Sequence, residues 1–349
     1  RARTVTSDAS VRAAMSFQIY RRRKAERRQW KQSLVHQAAA GNWNARRALV
    51  RNRSAPSAFN GLVQACQGEA EAVQTVKSHY EARFAPESVP EVPPEAFQLD
   101  ATPEDSVLMN ELGDAVGRLQ TGKATGLSLI SAELVQEIMQ TFQGPQVLLR
   151  LVNHALFNPE SIPEIAMLGQ VLLFPKAKWI SEAKQTRPIV LGDLLHKLLC
   201  TISSLRVTSA MPDCPCMLGA RRGTQVSEAL YVGKCMVSKA FAHSLDVVFL
   251  KLDLQAAFDS ISHKALVSLM MEFSSDKYPA SVTFLVKSLV KQRLRFPFLQ
   301  DEWQIHMKGG TVQGGTHSPR LFAQAVALLF QIHSQDWQQK GEDPPFMLR

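Results

Sequence analysis

The chain has 349 residues, of which 45% are hydrophobic and 20% charged, a composition typical of a globular protein with two or three domains. No apolar stretch approaches the roughly 18 residues of a transmembrane helix, so the sequence predicts no membrane partner. The five cysteines follow no regular spacing, which favours a reducing compartment. Cys214 and Cys216 could supply half of a metal site, but no second pair of ligands stands at zinc spacing.

The net charge of +9 is concentrated at one end of the chain. Residues 1–53 hold 14 basic and two acidic residues, a local charge of +12, which leaves −3 for the rest. A basic segment beside a near-neutral remainder predicts an attached region that binds a polyanion.

Residues 17–50 read as helical, and their densest basic cluster spans Tyr20–Lys31. Its candidate nucleic-acid contacts are Arg21, Arg22, Arg23, Lys24, Arg27 and Arg28. A solvated helix face, a nuclear-import signal and a targeting presequence are alternatives that stay open. Localisation is therefore not fixed, although nuclear entry is compatible with this cluster.

Five prolines and several acids make residues 86–103 an extended linker and the clearest domain boundary. We therefore predict a basic, mostly helical connecting region at 1–85, a linker at 86–103 and a folded domain at 104–349.

Helices and strands alternate irregularly beyond the linker, which predicts a mixed or α+β domain. Helices are predicted at Glu104–Leu119, Ser131–Phe142, Gln146–Phe157 and Ser262–Phe273, and from Ser318 onward. Strands are predicted at Gly169–Lys178, at the start of Arg187–Val207 (the rest helical), at Val247–Leu254, and in a hairpin of Arg293–Leu299 with Trp303–Met307.

Asp253 follows an apolar run and is expected at the end of a buried strand. A carboxylate there must be solvated, paired or bound to a cation, and phosphoryl transfer needs such oxygen ligands for Mg²⁺. Taken without the rest of the sequence, the two aspartates are better explained without a metal: Asp253 ends the strand, and Asp259 caps the turn that follows. Asp259 is expected to organise the turn before Ser262.

A second candidate is a glycine-rich stretch in which Gln313 is flanked by Gly309, Gly310, Gly314 and Gly315. Such glycines allow positive φ and close approach of the backbone to a ligand. Lys176, Lys178, Arg187 and Lys197 form a third candidate group, cations that could pair with a triphosphate or a template backbone.

In chain order, these stretches resemble the reverse transcriptases of non-LTR (LINE-type) retrotransposons. The likeness extends over about residues 104–330 and is carried by Leu119–Gln136, Ser161–Lys178, Arg187–Leu199, Leu218–Leu230, Leu250–Leu266 and Gly310–Phe322. The resemblance implies the fingers and an incomplete palm of a right-hand polymerase, without a thumb, preceded by a basic helical segment.

The resemblance also implies roles for individual residues. Asp253 matches the aspartate that binds both catalytic Mg²⁺ ions, and Leu254 supplies a backbone carbonyl ligand. Phe258 matches the bulky residue that excludes a ribose 2′-OH. The candidates for nucleotide binding are Phe258, Arg187, Lys197, Gln313 and Gly314, and those for template contact are Lys176 and Lys178. The implied partners are an RNA template, a DNA primer or target and dNTP, with no obligate protein partner.

The chain departs from the family pattern at several motif positions. Ser128 and Leu129 replace an aspartate and a glycine, Ala256 replaces a lysine, Val312 an arginine, and Ala220 an aromatic residue; Gly315-Thr316-His317 stands where the family has Asp-Pro-Leu. These changes fit either a divergent lineage or a decaying copy.

The 349 residues contain no Asp-Asp pair, whereas the family's remaining metal ligands lie in such a pair. A two-metal site needs several carboxylates, so the chain alone is expected to be inactive. The alternatives are a non-catalytic nucleic-acid-binding remnant of the same fold and an RNA-dependent RNA polymerase, against which Phe258 argues.

Overall fold

The computed structural model describes residues 58–86, 88–176, 180–212, 225–245, 253–254, 256–299 and 303–340, with isolated positions between 25 and 40. The chain divides into two compact units, 1–56 and 57–349. In the first unit, Arg28 is helical and exposed, whereas Arg21, Arg22, Arg23, Lys24 and Arg27 lie outside the described residues. Residues 86–103 fall within the second unit, so the three-part division of the chain stays a prediction.

The second unit contains twelve described helices and four described strands. The helices are α1 (Ala58–Ala65), α2 (Glu69–Phe84), α3 (Met109–Gly117), α4 (Ala132–Gln140), α5 (Gly144–Phe157), α6 (Glu164–Met167), α7 (Leu194–Ala210), α8 (Val226–Ala242), α9 (Ala257–Ser260), α10 (His263–Ser274), α11 (Pro279–Val290) and α12 (Ser318–Gln339). The strands are β1 (Leu168–Pro175), β2 (Thr186–Leu191), β3 (Arg293–Arg295) and β4 (Gln304–His306).

The strands form one sheet in the order β2-β1-β3-β4. β1 pairs antiparallel with β2 and parallel with β3, and β3 pairs antiparallel with β4. Alternate residues of β1 are buried, which is the pattern of a strand with one covered face. The described residues are therefore a mixed α and β structure, as predicted.

One face of the sheet is covered by α1 and α2. Phe59 and Leu62 of α1, with Tyr80 and Phe84 of α2, share an apolar core with the sheet. The Tyr80 hydroxyl also hydrogen-bonds Thr186 Oγ1 at the start of β2, 2.6 Å away and buried. α2 is therefore fixed to the sheet by both packing and a buried polar contact.

A second, larger core is built from helices. α7 runs through this core and contacts α3, α5, α10, α11 and α12. Asp193 caps the start of α7 by accepting hydrogen bonds from the backbone N–H groups of Leu195 and His196.

Arg206 of α7 ties the chain that follows the linker to this core. Its side chain is buried and donates from Nε and Nη2 to the two carboxylate oxygens of Glu111, at 2.7 and 2.6 Å. The same guanidinium donates to the carbonyl oxygens of Asp105 and Ser106. Two 3₁₀ turns, Pro94–Phe97 and Pro103–Asp105, lie within and at the end of the predicted linker, whose role as a domain boundary stays a prediction.

Most predicted elements are present with shifted ends. β1, β2, α7, α10 and the β3–β4 hairpin lie where the sequence predicted them. Helices α8 and α11 were not predicted. Of the predicted strand Val247–Leu254, residues 247–252 lie outside the described residues, and Asp253 and Leu254 have no regular structure. In the described part of the chain, no helix is both long and apolar enough to cross a membrane.

Replacing Arg206 by Gln should lower the free energy of unfolding by about 3 kcal/mol, because it leaves Glu111 half-buried without its cation. Urea denaturation measures the change. Arg150→Gln, at an exposed position of α5, is the matched control and should change stability by less than about 0.5 kcal/mol. Equal effects of the two changes would show that Arg206 does not hold Glu111 and the backbone of Asp105 and Ser106 as its contacts indicate.

Candidate active site

The glycine-rich loop, residues 308–315, lies between β2 and the chain around α9. Val190 N donates to the Gln313 carbonyl oxygen at 2.7 Å, which joins the loop to β2. On the other side, Thr311 N donates to the Phe258 carbonyl at 2.6 Å and Gly310 N to the Ile261 carbonyl at 2.7 Å. Three stretches singled out in the sequence therefore meet at this loop.

Two glycines make this close approach possible. Gly310 has φ +79°, and a Cβ there would lie 2.7 Å from the Cα of Asp259. Gly314 has φ +109°, and a Cβ there would lie 2.7 Å from the carbonyl oxygen of Val190. The expected role of glycines in permitting positive φ is met by Gly310 and Gly314, and the close approach is to other parts of the chain.

Asp259 is the centre of the polar contacts at this loop. Its side chain is 1% exposed and forms an ion pair with Arg83 of α2, whose side chain is 14% exposed. The same carboxylate oxygen, Oδ2, accepts a hydrogen bond from Gln313 Nε2 at 3.3 Å. Asp259 was expected to organise only its local turn. The sequence did not single out Arg83, and the dense charge around it in α2 gave no signal of its partner.

Burial raises the pKa of the Asp259 carboxyl, while Arg83, Gln313 and Lys176 act in the opposite direction. Burial of a carboxylate favours its neutral form, so nearby cations are needed to keep it charged. Asp259 Oδ1 and Arg83 Nε have no hydrogen-bond partner among the described residues.

Lys176 and Arg187 add positive charge beside this pair. Lys176 interacts electrostatically with Arg83, Arg187 and Asp259, and its Nζ donates to the carbonyl of Lys184 at 2.8 Å. Arg187 is exposed on β2, opposite Phe174 of β1. Lys178, the remaining predicted cation of this group, lies outside the described residues.

Phe258 is half-buried, and its ring packs against Phe322 of α12 with centroids 5.0 Å apart. It lies in α9, one residue before Asp259, and its carbonyl holds the glycine-rich loop. α9 begins after Ala256, which has φ 52° and is thus left-handed. Asp253 and Leu254 are both exposed in the chain before this turn.

The described residues do not complete a magnesium site. Among them, no group of three or more His, Cys, Asp and Glu side chains is arranged to hold a metal ion. Mg²⁺ requires oxygen ligands in near-octahedral geometry, and Asp253 provides a carboxylate that is exposed and accessible. Asp253 fits the chemistry of one ligand but does not form the site alone.

Lys197 lies beside the end of the loop. Its half-buried side chain covers Gly192, and its carbonyl accepts a hydrogen bond from Thr316 Oγ1 at 3.2 Å. Burial lowers the pKa of Lys197, and the carboxylate of Asp193 opposes that effect. A small cavity between β1, β2, α7 and the loop is lined in part by Lys197, Gly314 and Thr316.

His317 is buried at a position where the family pattern has leucine. Burial lowers the pKa of His317 to about 3 and that of neighbouring His196 to about 4. A positive charge on His196 would lower the pKa of His317 further, and Lys197 acts on His196 in the same way. Both imidazoles are therefore neutral near pH 7, so His317 can fill a position that the family gives to an apolar side chain.

The segment around Gly126 packs on the start of α7. A Cβ on Gly126 would lie 2.7 Å from the Gly192 carbonyl oxygen, and the Ser128 hydroxyl donates to Asp193 Oδ2. An aspartate at 128, as in the family pattern, would set a second carboxylate against Asp193. Leu129 has φ 61°, the left-handed conformation for which the family's glycine is suited.

Replacing Leu129 by Gly should raise the free energy of unfolding by about 0.5–1 kcal/mol. The glycine relieves a left-handed conformation that costs about 1–2 kcal/mol, less the entropy it adds to the unfolded chain. Thermal and urea unfolding measure the change. Leu129→Ala shortens the side chain but keeps the strain, so stabilisation of equal size by alanine would contradict this reading.

Replacing Gly310 by Ala should destabilise the chain by about 2 kcal/mol or more, because the new Cβ meets the backbone of Asp259 at positive φ. Gly309→Ala is the matched control, since its Cβ would meet nothing closer than 3.9 Å. Urea unfolding of both variants compares them. Similar stabilities would show that the loop is not held as described.

Comparison with known proteins gives two matches. The sequence model described as reverse transcriptase (RNA-dependent DNA polymerase) matches residues 174–342. A Xenopus laevis protein described as the transposon TX1 uncharacterized 149 kDa protein is 24% identical over 173 residues, which are 49% of this chain and 13% of that protein. The chain therefore spans only a small part of that relative. Residues 174–342 are therefore similar to the reverse transcriptase family, and both matches support the resemblance to the non-LTR retrotransposon class.

Proposed function

We propose that the chain forms the nucleotide-binding part of an RNA-directed DNA polymerase of the non-LTR retrotransposon type. The observation that carries the proposal is the meeting of the glycine-rich loop with Phe258, Asp259 and β2. In the proposed reaction, a primer 3′-OH attacks the α-phosphate of a dNTP, a P–O bond forms, and pyrophosphate leaves.

In this proposal β1, β2 and the glycine-rich loop belong to the fingers, and α9 and α10 to the incomplete palm. Phe258 would bound the sugar pocket, since its ring is held by Phe322 and its carbonyl by Thr311. A side chain fixed in this way can reject a 2′-OH by steric conflict more sharply than a mobile one. Gln313 and Gly314 would face the nascent base pair.

The cations would bind phosphates. Arg187 and Lys176 are exposed, Lys176 is near both Arg187 and Asp259, and the carbonyl of Lys197 accepts a hydrogen bond from Thr316 at the end of the loop. Lys178 and the basic cluster of Arg21, Arg22, Arg23, Lys24, Arg27 and Arg28 would contact the RNA template or the DNA primer and target. Positioning and charge stabilisation supply most of the catalysis in phosphoryl transfer.

Mg²⁺ would be held by Asp253, by the Leu254 carbonyl and by carboxylates beyond those described. The ion would stabilise the negative charge of the transferring phosphoryl group. Because the 349 residues contain no Asp-Asp pair, we propose that this chain by itself does not polymerise.

A non-catalytic nucleic-acid-binding remnant is the second candidate. It is favoured by the left-handed Leu129 at a glycine position of the family pattern, because a copy no longer under selection accumulates substitutions that cost stability.

Primer extension tests the proposal. With an RNA template, a DNA primer, Mg²⁺ and dNTPs, the 349-residue chain should give no product. A longer protein in which this chain is followed by the family's Asp-Asp hairpin should extend the primer with dNTPs but not rNTPs. Asp253→Ala in that protein should slow extension by about 1,000-fold or more, because several kcal/mol of charge stabilisation are lost.

Asp276→Ala removes an exposed acid after α10 and is the matched control, for which full extension is expected. If that longer protein binds primer and template but does not extend the primer, the result would support the remnant. Robust synthesis by the 349-residue chain would overturn the expectation that it is inactive.

A further inference from the structure

We propose that Arg83 is a positioning residue of the polymerase site, which orients Gln313 through Asp259. This inference rests on the proposed function. Arg83 lies on α2, well before the residues 174–342 that match the family. The proposal therefore assigns part of the site to a segment outside the recognised domain.

Arg83 and Gln313 are linked by one shared oxygen atom. Asp259 Oδ2 accepts hydrogen bonds from both Arg83 Nη2 and Gln313 Nε2. The guanidinium fixes the carboxylate, since the two are paired in a site from which water is nearly excluded. The carboxylate in turn fixes the amide end of Gln313, and the carbonyl of the same residue is fixed by Val190. Gln313 is thus held at its backbone and at its side chain.

α2 also holds the beginning of the loop. Lys308 N, at the first residue of the loop, donates to the Phe84 carbonyl at 2.8 Å. Arg83 is the residue before Phe84, so neighbouring residues of α2 hold the start of the loop directly and Gln313 through Asp259. A shift of α2 would move both contacts together.

α2 is itself held firmly in place by the sheet. Tyr80, one turn before Arg83, is fully buried and bonded to Thr186. The Tyr80 and Phe84 rings stack with centroids 5.7 Å apart, and Tyr80 also contacts Phe296. Arg83 therefore projects from a helix whose own position is fixed by the sheet, as a positioning residue requires.

Hydrogen–deuterium exchange on the 349-residue chain tests this inference without requiring polymerase activity. Arg83→Gln should make exchange in residues 308–316 about tenfold or more faster, and leave β1 unchanged. Arg293→Gln is the matched control, because it removes an exposed arginine that pairs loosely with Glu164 at 3.9 Å. This control should leave the loop unchanged.

A double-mutant comparison separates positioning from general stability. If Arg83 acts through Asp259, adding Arg83→Gln to Asp259→Asn should produce no faster exchange in the loop than Asp259→Asn alone. If Arg83 merely stabilises α2, the two effects should multiply, and that result would overturn the proposal. Arg83→Lys keeps the positive charge but replaces the guanidinium by a single nitrogen. It is the second variant to be measured if Arg83→Gln does not fold. An unchanged loop in the lysine variant would likewise overturn the proposal.

Addition of dTTP with Mg²⁺ to the unmodified chain keeps this inference distinct from the proposed function. Slower exchange in 308–316 with dTTP supports the loop as a nucleotide site. Non-additive effects of Arg83 and Asp259 without protection by dTTP would support the positioning role while counting against nucleotide binding. Protection by dTTP that is equal in the unmodified chain and in Arg83→Lys would overturn the positioning role and leave the proposed function standing.

Discussion

A carboxylate that is 1% exposed, as in Asp259, requires a nearby positive charge, because burial opposes ionisation. Arg83 meets that requirement from 176 residues earlier in the chain. Removing one member of such a pair costs about 3–5 kcal/mol in typical proteins. This contact joins α2, the turn at α9 and the glycine-rich loop, since each supplies either a member of the pair or a group bonded to it.

Local patterns predicted those elements whose two sides differ. β1 alternates buried and half-buried residues, and α10 has one apolar face and a serine cap, so both were found with ends shifted by a few residues. α11 was missed because nearly all of its residues are buried, which leaves no helical period to detect. Its β-branched residues add to the ambiguity. α8 was missed for a different reason: its exposed Leu230, Tyr231 and Phe241 do not form a simple polar face.

The candidate site was predictable only where the chain is locally informative. Glycines that need positive φ and a serine that caps a helix can be recognised from the sequence alone. Gly310 and Gly314 do have positive φ, and Gln313 beside them is bonded to Asp259. The role of Asp259 was not predictable, because a helix-start acid and a buried member of an ion pair look alike until the fold brings α2 alongside. Ser128 shows the reverse case: its departure from the family pattern has a local explanation in the carboxylate of Asp193.

The long separation of Arg83 from Asp259 has a consequence for synthesis. A ribosome makes the arginine first, and α2 must wait while the intervening residues emerge before its guanidinium can find the buried carboxylate. During that interval the apolar faces of Tyr80 and Phe84 lack β3 and β4, because Phe296 and Met307 of the same core are made later still. The nascent chain therefore carries an open hydrophobic surface until the hairpin is complete.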